Sequence, residues 1–322
     1  MVGLMKQFFL ALILLCCQQW LLAQPNVPDL VVAADGSGNY SSLQDAVMSI
    51  RDYKPTRTTI YVKNGVYREK VVIPANKCDI TIIGQSADST IITWNDHAKI
   101  NNMGTFKTYT FQVAGSGIRI ETITIENNAE QLGQAVALHV EGDCFEMTGC
   151  RLLGNQDTLF TGNGSSRQYY RGCYIEGTTD FIFGPATAWF EQCVVHSKRN
   201  SYITASSTPQ QNPYGYVFNR CRLTADDGVD QVYLGRPWRA YAYTLFMNCD
   251  MAAHILPQGW DNWRNVENEK TSRYAEYNNV GSGAAVANRV QWCRQLKAQD
   301  AKKITIDEVM HRESGWKPCY AL

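Results

Sequence analysis

From residue 118 onward this chain repeats one short apolar segment at intervals too brief for a helical repeat. Ile120-Glu-Thr-Ile-Thr-Ile-Glu-Asn127 can be laid on Met147-Thr-Gly-Cys-Arg-Leu-Leu-Gly154 and on Tyr170-Arg-Gly-Cys-Tyr-Ile-Glu-Gly177. Phe190-Glu-Gln-Cys-Val-Val195, Phe218-Asn-Arg-Cys-Arg-Leu223 and Phe246-Met-Asn-Cys-Asp-Met251 continue the series. The equivalent position is Ile123, Cys150, Cys173, Cys193, Cys221 and Cys249, spaced by 27, 23, 20, 28 and 28 residues. A period in the twenties with one short strand per copy predicts a solenoid. Helical solenoids repeat at longer intervals and need amphipathic helices, and the leucine-asparagine ladder of leucine-rich repeats is missing. What remains is an all-β chain wound as a right-handed parallel β-helix, with an inward ladder of Ile and Cys.

The segments before the repeats fit the same architecture. Strands are expected at Asp29–Ala33, Thr59–Val62, Val71–Ile73, Asp79–Ile83 and Thr90–Trp94, each rich in β-branched residues and bounded by turn formers. Ser41-Ser-Leu-Gln44 reads as a capping box opening a short helix to about Ile50, and Thr305-Ile-Asp-Glu308 as another near the end. Pro257-Gln-Gly-Trp260 to Trp263 is loop-like.

Residues 1–23 form a separate unit. Lys6 precedes an apolar run from Phe8 to Cys17, Gln18-Gln19 interrupt it, and Leu21-Leu-Ala23 offers a cleavage site before Gln24. The expectation is an export signal, a secreted or periplasmic product without stable membrane insertion, and a single domain over residues 24–322. The bulky Leu15 before Cys16 argues against lipid attachment. Of 11 cysteines, Cys16 and Cys17 leave with the signal. The odd number remaining argues against a fully paired disulfide framework. Reduced packing residues are expected for most, although neighbours on adjacent coils would stand within disulfide range.

Thirty basic residues balance thirty acidic ones, with no run of like charge. That gives no electrostatic case for nucleic acid. A Gly-x-Ser-x-Gly elbow and a His-Glu-x-x-His zinc site are both missing. Asp226-Asp-Gly-Val-Asp230 does not have the spacing of a calcium loop and reads as a solvated turn. No metal and no cofactor is expected.

The chemistry is expected at Asp157 and Asp180, each seven residues after its repeat cysteine, Cys150 or Cys173. Stacked coils would bring these remote acids to about the interstrand spacing of 4.8 Å. Like charges so close cannot both ionise easily, so one acid keeps its proton. An acid beside a carboxylate suits acyl transfer with a carboxylate nucleophile. It also suits retaining glycoside hydrolysis. Leu234-Gly-Arg-Pro-Trp238 supplies Arg236 to hold one carboxylate ionised and Trp238 as a flat face for a sugar ring. Gln134 and Gln156 add amide donors of the kind that steady an oxyanion.

Five blocks then carry a resemblance. Gly65-Val-Tyr-Arg-Glu69, Gln134-Ala-Val-Ala-Leu138, Gly154-Asn-Gln-Asp-Thr-Leu159, Asp180-Phe-Ile-Phe-Gly184 and Leu234-Gly-Arg-Pro-Trp238 resemble, in order and spacing, the signature blocks of pectin methylesterases. The likeness covers nearly the whole chain after residue 23. It implies a right-handed parallel β-helix acting, as a monomer, on methyl-esterified pectin polysaccharide. Asp180 would attack the C6 methyl ester, Asp157 would serve as general acid and then base, and Gln134 and Gln156 would stabilise the oxyanion. Arg236 would orient Asp180, while Thr105, Phe160, Phe183 and Trp238 would contact the sugar chain. Pro185-Ala-Thr departs from the Asn-Ala-Ala usual in the family, a difference that bears on the cleft wall. The competing readings are a β-helical polygalacturonase or lyase and a noncatalytic polysaccharide binder. The first lacks further clustered aspartates, and the second would have lost motif residues that are all present here.

Overall fold

The computed structural model describes residues 27–311 and 315–319. The expected signal, with Cys16 and Cys17, lies outside these residues. Three parallel sheets run the length of the molecule: sheet A with eleven strands, sheet B with eight and sheet C with seven. Successive coils contribute one strand to each, so the pairing is always between coils rather than within one. Arg167–Arg171 of sheet A, Tyr174–Gly177 of sheet B and Ile182–Gly184 of sheet C make up one turn of the solenoid. The fold is the expected right-handed parallel β-helix.

One expectation is corrected. A repeat carries three strands, not one, because the A-to-B corner is only two residues long. Ile120–Asn127 divides into Arg119–Glu121 and Thr124–Asn127. Thr122 bends the chain between them with a φ of 51°. The same left-handed bend occurs at Gly149, Gly172, Gln192, Arg220 and Asn248. The residue after each bend is the repeat position, Ile123 or a cysteine. Those side chains turn inward, and Cys150, Cys173, Cys193, Cys221 and Cys249 are all essentially buried. All nine described cysteines are free thiols. Each ladder sulfur lies against backbone carbonyls; Cys221 Sγ is 3.3 Å from Phe190 O. Thiols fill the narrow corner as small hydrophobes, and none is bridged.

Large side chains fill the rest of the interior. Tyr170, Phe190, Phe218 and Phe246 stack in register along sheet A at 4.8, 4.3 and 4.4 Å between ring centroids. Each such contact contributes about 0.5–1.5 kcal/mol beyond area burial. Helix α1 (Leu43–Ser49) covers the first coil with Leu43, Ala46 and Val47. Its cap is one residue later than the capping-box reading placed it: Ser42 accepts from Asp45 N–H. Gln44 instead exchanges two hydrogen bonds with the Val72 backbone. The reciprocal carboxylate comes from Glu69, which accepts from the Leu43 and Gln44 N–H groups. At the other end Thr305 caps a single wide helical turn, Asp307–His311, through Glu308 N–H. Among the described residues no helix is long and apolar enough to cross a membrane.

Candidate active site

The register of sheet C sets the site. Leu159 pairs with Ile182 and Phe160 with Phe183, an offset that places Asp157 beside Asp180 on the next coil. Both aspartates precede their strand at a turn, and both have left-handed backbones, with φ of 67° and 49°. Asp tolerates that conformation better than most residues, yet it is sparsely populated and concentrates at functional sites. Backbone bonds hold each turn: Asp157 N–H donates to Thr179 O at 3.1 Å and Asp180 N–H to Tyr202 O at 2.8 Å.

Only 7% of Asp157 and 6% of Asp180 is exposed. Their surroundings differ in one respect. Arg236 donates through Nε to Asp180 Oδ1 at 3.0 Å and through Nη2 to Oδ2 at 2.7 Å. This forked, charge-assisted pair favours the ionised carboxylate. Burial pushes the Asp180 carboxyl above its ordinary range, and the two bonds from Arg236 pull it back. Asp157 has no such partner. Burial first, and then the neighbouring Asp180 charge, push it well above the ordinary range. Burial therefore raises both carboxyls, Asp157 the further, and only Asp180 has a forked bond from Arg236 opposing the rise.

The guanidinium is itself clamped. Tyr202 lies 3.9 Å from it on one side and Trp263 lies 3.8 Å away, both in cation–π contact. Trp263 arrives from the loop after Trp260. Its N–H donates to Asp261 Oδ1 at 2.7 Å, and Asp261 N–H donates to Gly235 O. Arg236 and Trp238 extend sheet C beyond Tyr233–Gly235 by bonding through their N–H groups to Thr204 O and Ser206 O. Gly235 lets the coils close, since a Cβ there would collide with Thr204.

A cavity of about 270 Å³ opens over the carboxylates. Thr105, Gln134, Gln156, Phe183 and Trp238 line it together with both aspartates and Arg236. Gln134 and Gln156 form a parallel bridge on neighbouring coils. Neither side-chain amide hydrogen-bonds another described residue, so both N–H pairs are available to a ligand. Phe160 is a correction: it packs beside the cavity rather than lining it, 4.8 Å from Phe183 and 4.7 Å from His139. Phe106, 46% exposed, lies over Phe160 at 4.9 Å and takes the place at the cavity wall expected of it. Phe106, Trp263 and Tyr202 are site residues that sequence reasoning missed. The signal for Trp263 was its aromatic type within a loop following Gly259-Trp260; Phe106 and Tyr202 carried none.

The arrangement offers a carboxylate locked in orientation, a protonated carboxyl beside it, amide donors and aromatic faces. Residues 29–313 match the pectinesterase family profile. "Pectinesterase 31" of Arabidopsis thaliana is 41% identical over 281 residues, covering 84% of this chain and 88% of that protein. The chain spans about half the length of several longer relatives described as pectinesterase/pectinesterase inhibitors. Among solved structures, a pectin methylesterase from carrot superposes with a TM-score of 0.86 at 34% identity, over 91% of this chain and 96% of its own. Another, a pectin methylesterase in complex with a hexasaccharide, superposes with a TM-score of 0.79 at 29% identity, over 91% and 99%. By profile, by relatives and by fold, the chain belongs to the pectinesterase family and has that family's ester hydrolase activity.

Proposed function

We propose that this protein is an exported enzyme that removes methyl groups from methyl-esterified homogalacturonan, releasing methanol, through Asp180 as nucleophile and Asp157 as general acid and base. The observation that carries the reading is the unequal pair, one buried carboxylate gripped by Arg236 and the other left without a cation. An Asp180 oxygen attacks the C6 carbonyl carbon of the ester, and the carbonyl electron pair moves onto oxygen. The Gln134 and Gln156 amides donate to that oxyanion. As the intermediate collapses, the C–O bond to the methoxy group breaks and Asp157 gives its proton to the leaving oxygen. The products of this half-reaction are methanol and a mixed anhydride between Asp180 and the sugar.

Asp157, now ionised, takes a proton from water as that water attacks the sugar carbonyl. Collapse expels the Asp180 carboxylate and leaves Asp157 protonated for the next turnover. The new uronic acid loses its proton to solvent. Trp238, Phe183 and Thr105 would seat the sugar rings along sheet C, with Phe160 supporting Phe183 from behind. Methanol release from methylated polygalacturonate tests the reading, with fragmentation of the polymer as the second measurement. Methanol with unchanged chain length is expected; fragmentation without methanol would replace it with a glycosidase or lyase.

A further inference from the structure

A second cavity, larger than the one over the carboxylates, lies elsewhere among the described residues. It measures about 590 Å³ and lies on the outer face of sheet A, where the segment 301–306 folds back across the solenoid. It shares no lining residue with the cleft. Its volume falls within the range of about 300–1,000 Å³ typical of small-molecule sites.

The lining is organised by a buried acid. Glu191, 7% exposed, accepts from Trp189 Nε1 and from Asn219 Nδ2, each at 2.9 Å. Asn219 Oδ1 accepts in turn from Asn248. These bonds fix a polar floor whose own demands are met from within the protein. Above it, Arg220 and Lys302 stand near Glu191, the one carboxylate among the described lining residues, in a chain whose total charge is balanced. Arg220 approaches Glu191 only at 3.7 Å and is 65% exposed. Lys302 and the Gln192 amide bond to no other described side chain. Ile304, Ile306 and Met247, the last paired in register with Asn219, add apolar surface to the lining.

From this lining we infer that the sheet A cavity is a noncatalytic binding site for a short uronic-acid oligosaccharide in its unesterified form. Cations recognise carboxylates, the Gln192 amide recognises hydroxyls, and the apolar surface accepts the C–H face of a sugar ring. A neutral methyl ester forfeits the ionic contacts, so the site prefers the acid over the ester. If the function proposed above holds, the site prefers the enzyme's product and would keep the protein on stretches it has already processed. That consequence rests on the proposed function; the binding does not.

The test is an NMR titration of the Trp189 indole N–H, which reports on the cavity, beside those of Trp238 and Trp263, which report on the cleft. Digalacturonate should shift Trp189 in the wild type and in Trp238→Ala. Arg220→Glu with Lys302→Glu should weaken that response at least about tenfold. The Trp263 response and methanol release from a short methylated substrate should not change. Arg220→Gln with Lys302→Gln serves if the double reversal does not fold, and Arg220→Lys should retain binding. The dimethyl ester should bind the cavity at least about tenfold more weakly than the acid. Shifts confined to Trp238 and Trp263 would overturn the inference. So would inorganic phosphate moving Trp189 as strongly as digalacturonate, which would make the cavity a general anion trap. A wild type that releases no methanol yet shows the Trp189 response would sink the proposed function and leave this site standing.

Discussion

Cys173 and Asp180 lie seven residues apart, and each stacks on its counterpart from the preceding coil, Cys150 or Asp157. At the A-to-B corner the stacked groups are small and neutral, so repetition yields a dry ladder of thiols against carbonyls. On sheet C the same one-coil step brings two buried acids together, so repetition yields tension. One register produces both outcomes, and the chemistry of the repeated side chain decides which. The buried thiols of the corner carry no charge, whereas the cleft buries a carboxyl whose ionised form is disfavoured.

Several measurements would break or sharpen this contrast. The largest effect is expected from Asp180→Ala, which removes the proposed nucleophile and should lower methanol release by at least about 10³-fold while leaving the circular dichroism unchanged. Residual activity near that of the wild type would move the nucleophile elsewhere. Next comes Asp157→Asn, expected to cost about 10²–10⁴-fold in kcat as proton donation to methoxide is lost.

Stability should move the other way in that variant. Because burial raises the Asp157 carboxyl in the folded protein, its contribution to stability is present below the ordinary carboxylate value of 3.8 and is lost as pH rises. Asp157→Asn should therefore melt higher than wild type near neutral pH and equally below that value. A lower melting temperature at neutral pH would contradict the tension described.

The pH profile separates the two acids. Activity should fall on the acid side as Asp180 takes a proton and on the alkaline side as Asp157 loses one. Arg236→Lys gives up the forked bonds, so Asp180 should rise further and carry the acid limb upward in pH. An acid limb that stays put would show that Arg236 does not hold Asp180 ionised. A smaller change is expected from Trp263→Ala, which uncovers one face of the guanidinium; a contact of about 0.5–2 kcal/mol predicts up to about thirtyfold in kcat, with Trp263→Phe restoring most of it. The smallest functional effect belongs to the corner: Cys221→Ala should leave kcat unchanged and cost about 1–2 kcal/mol in unfolding experiments.

Much of this was legible because stacking converts spacing into proximity. Once the cysteines are aligned, Asp157 and Asp180 follow, as do the strands at Val71–Ile73 and Thr90–Trp94, whose limits the sequence reading matches. The three-sheet cross-section was not legible. Thr122, Gln192, Arg220 and Asn248 bend left-handed without the glycine or proline that usually announces a turn, so two strands read as one. Two of the aromatic residues around the site were hidden for a different reason. Phe106 and Trp263 reach the cleft from segments outside the repeating register, where spacing carries no positional information. Phe160 lies beside the cavity rather than at its wall, and nothing in the sequence reveals that Phe106 covers it.

The two-residue corners have one further consequence. Every A-to-B turn from Thr122 to Cys249 has the same length, so the chain can grow or shrink only at the turns on either side of sheet C. The variable spacings of the repeats are therefore all absorbed along the borders of the cleft. Within these coils natural selection can lengthen, shorten or redecorate those borders one coil at a time while the wall behind the acids stays fixed, which puts the editable margins on the side proposed to meet the polymer.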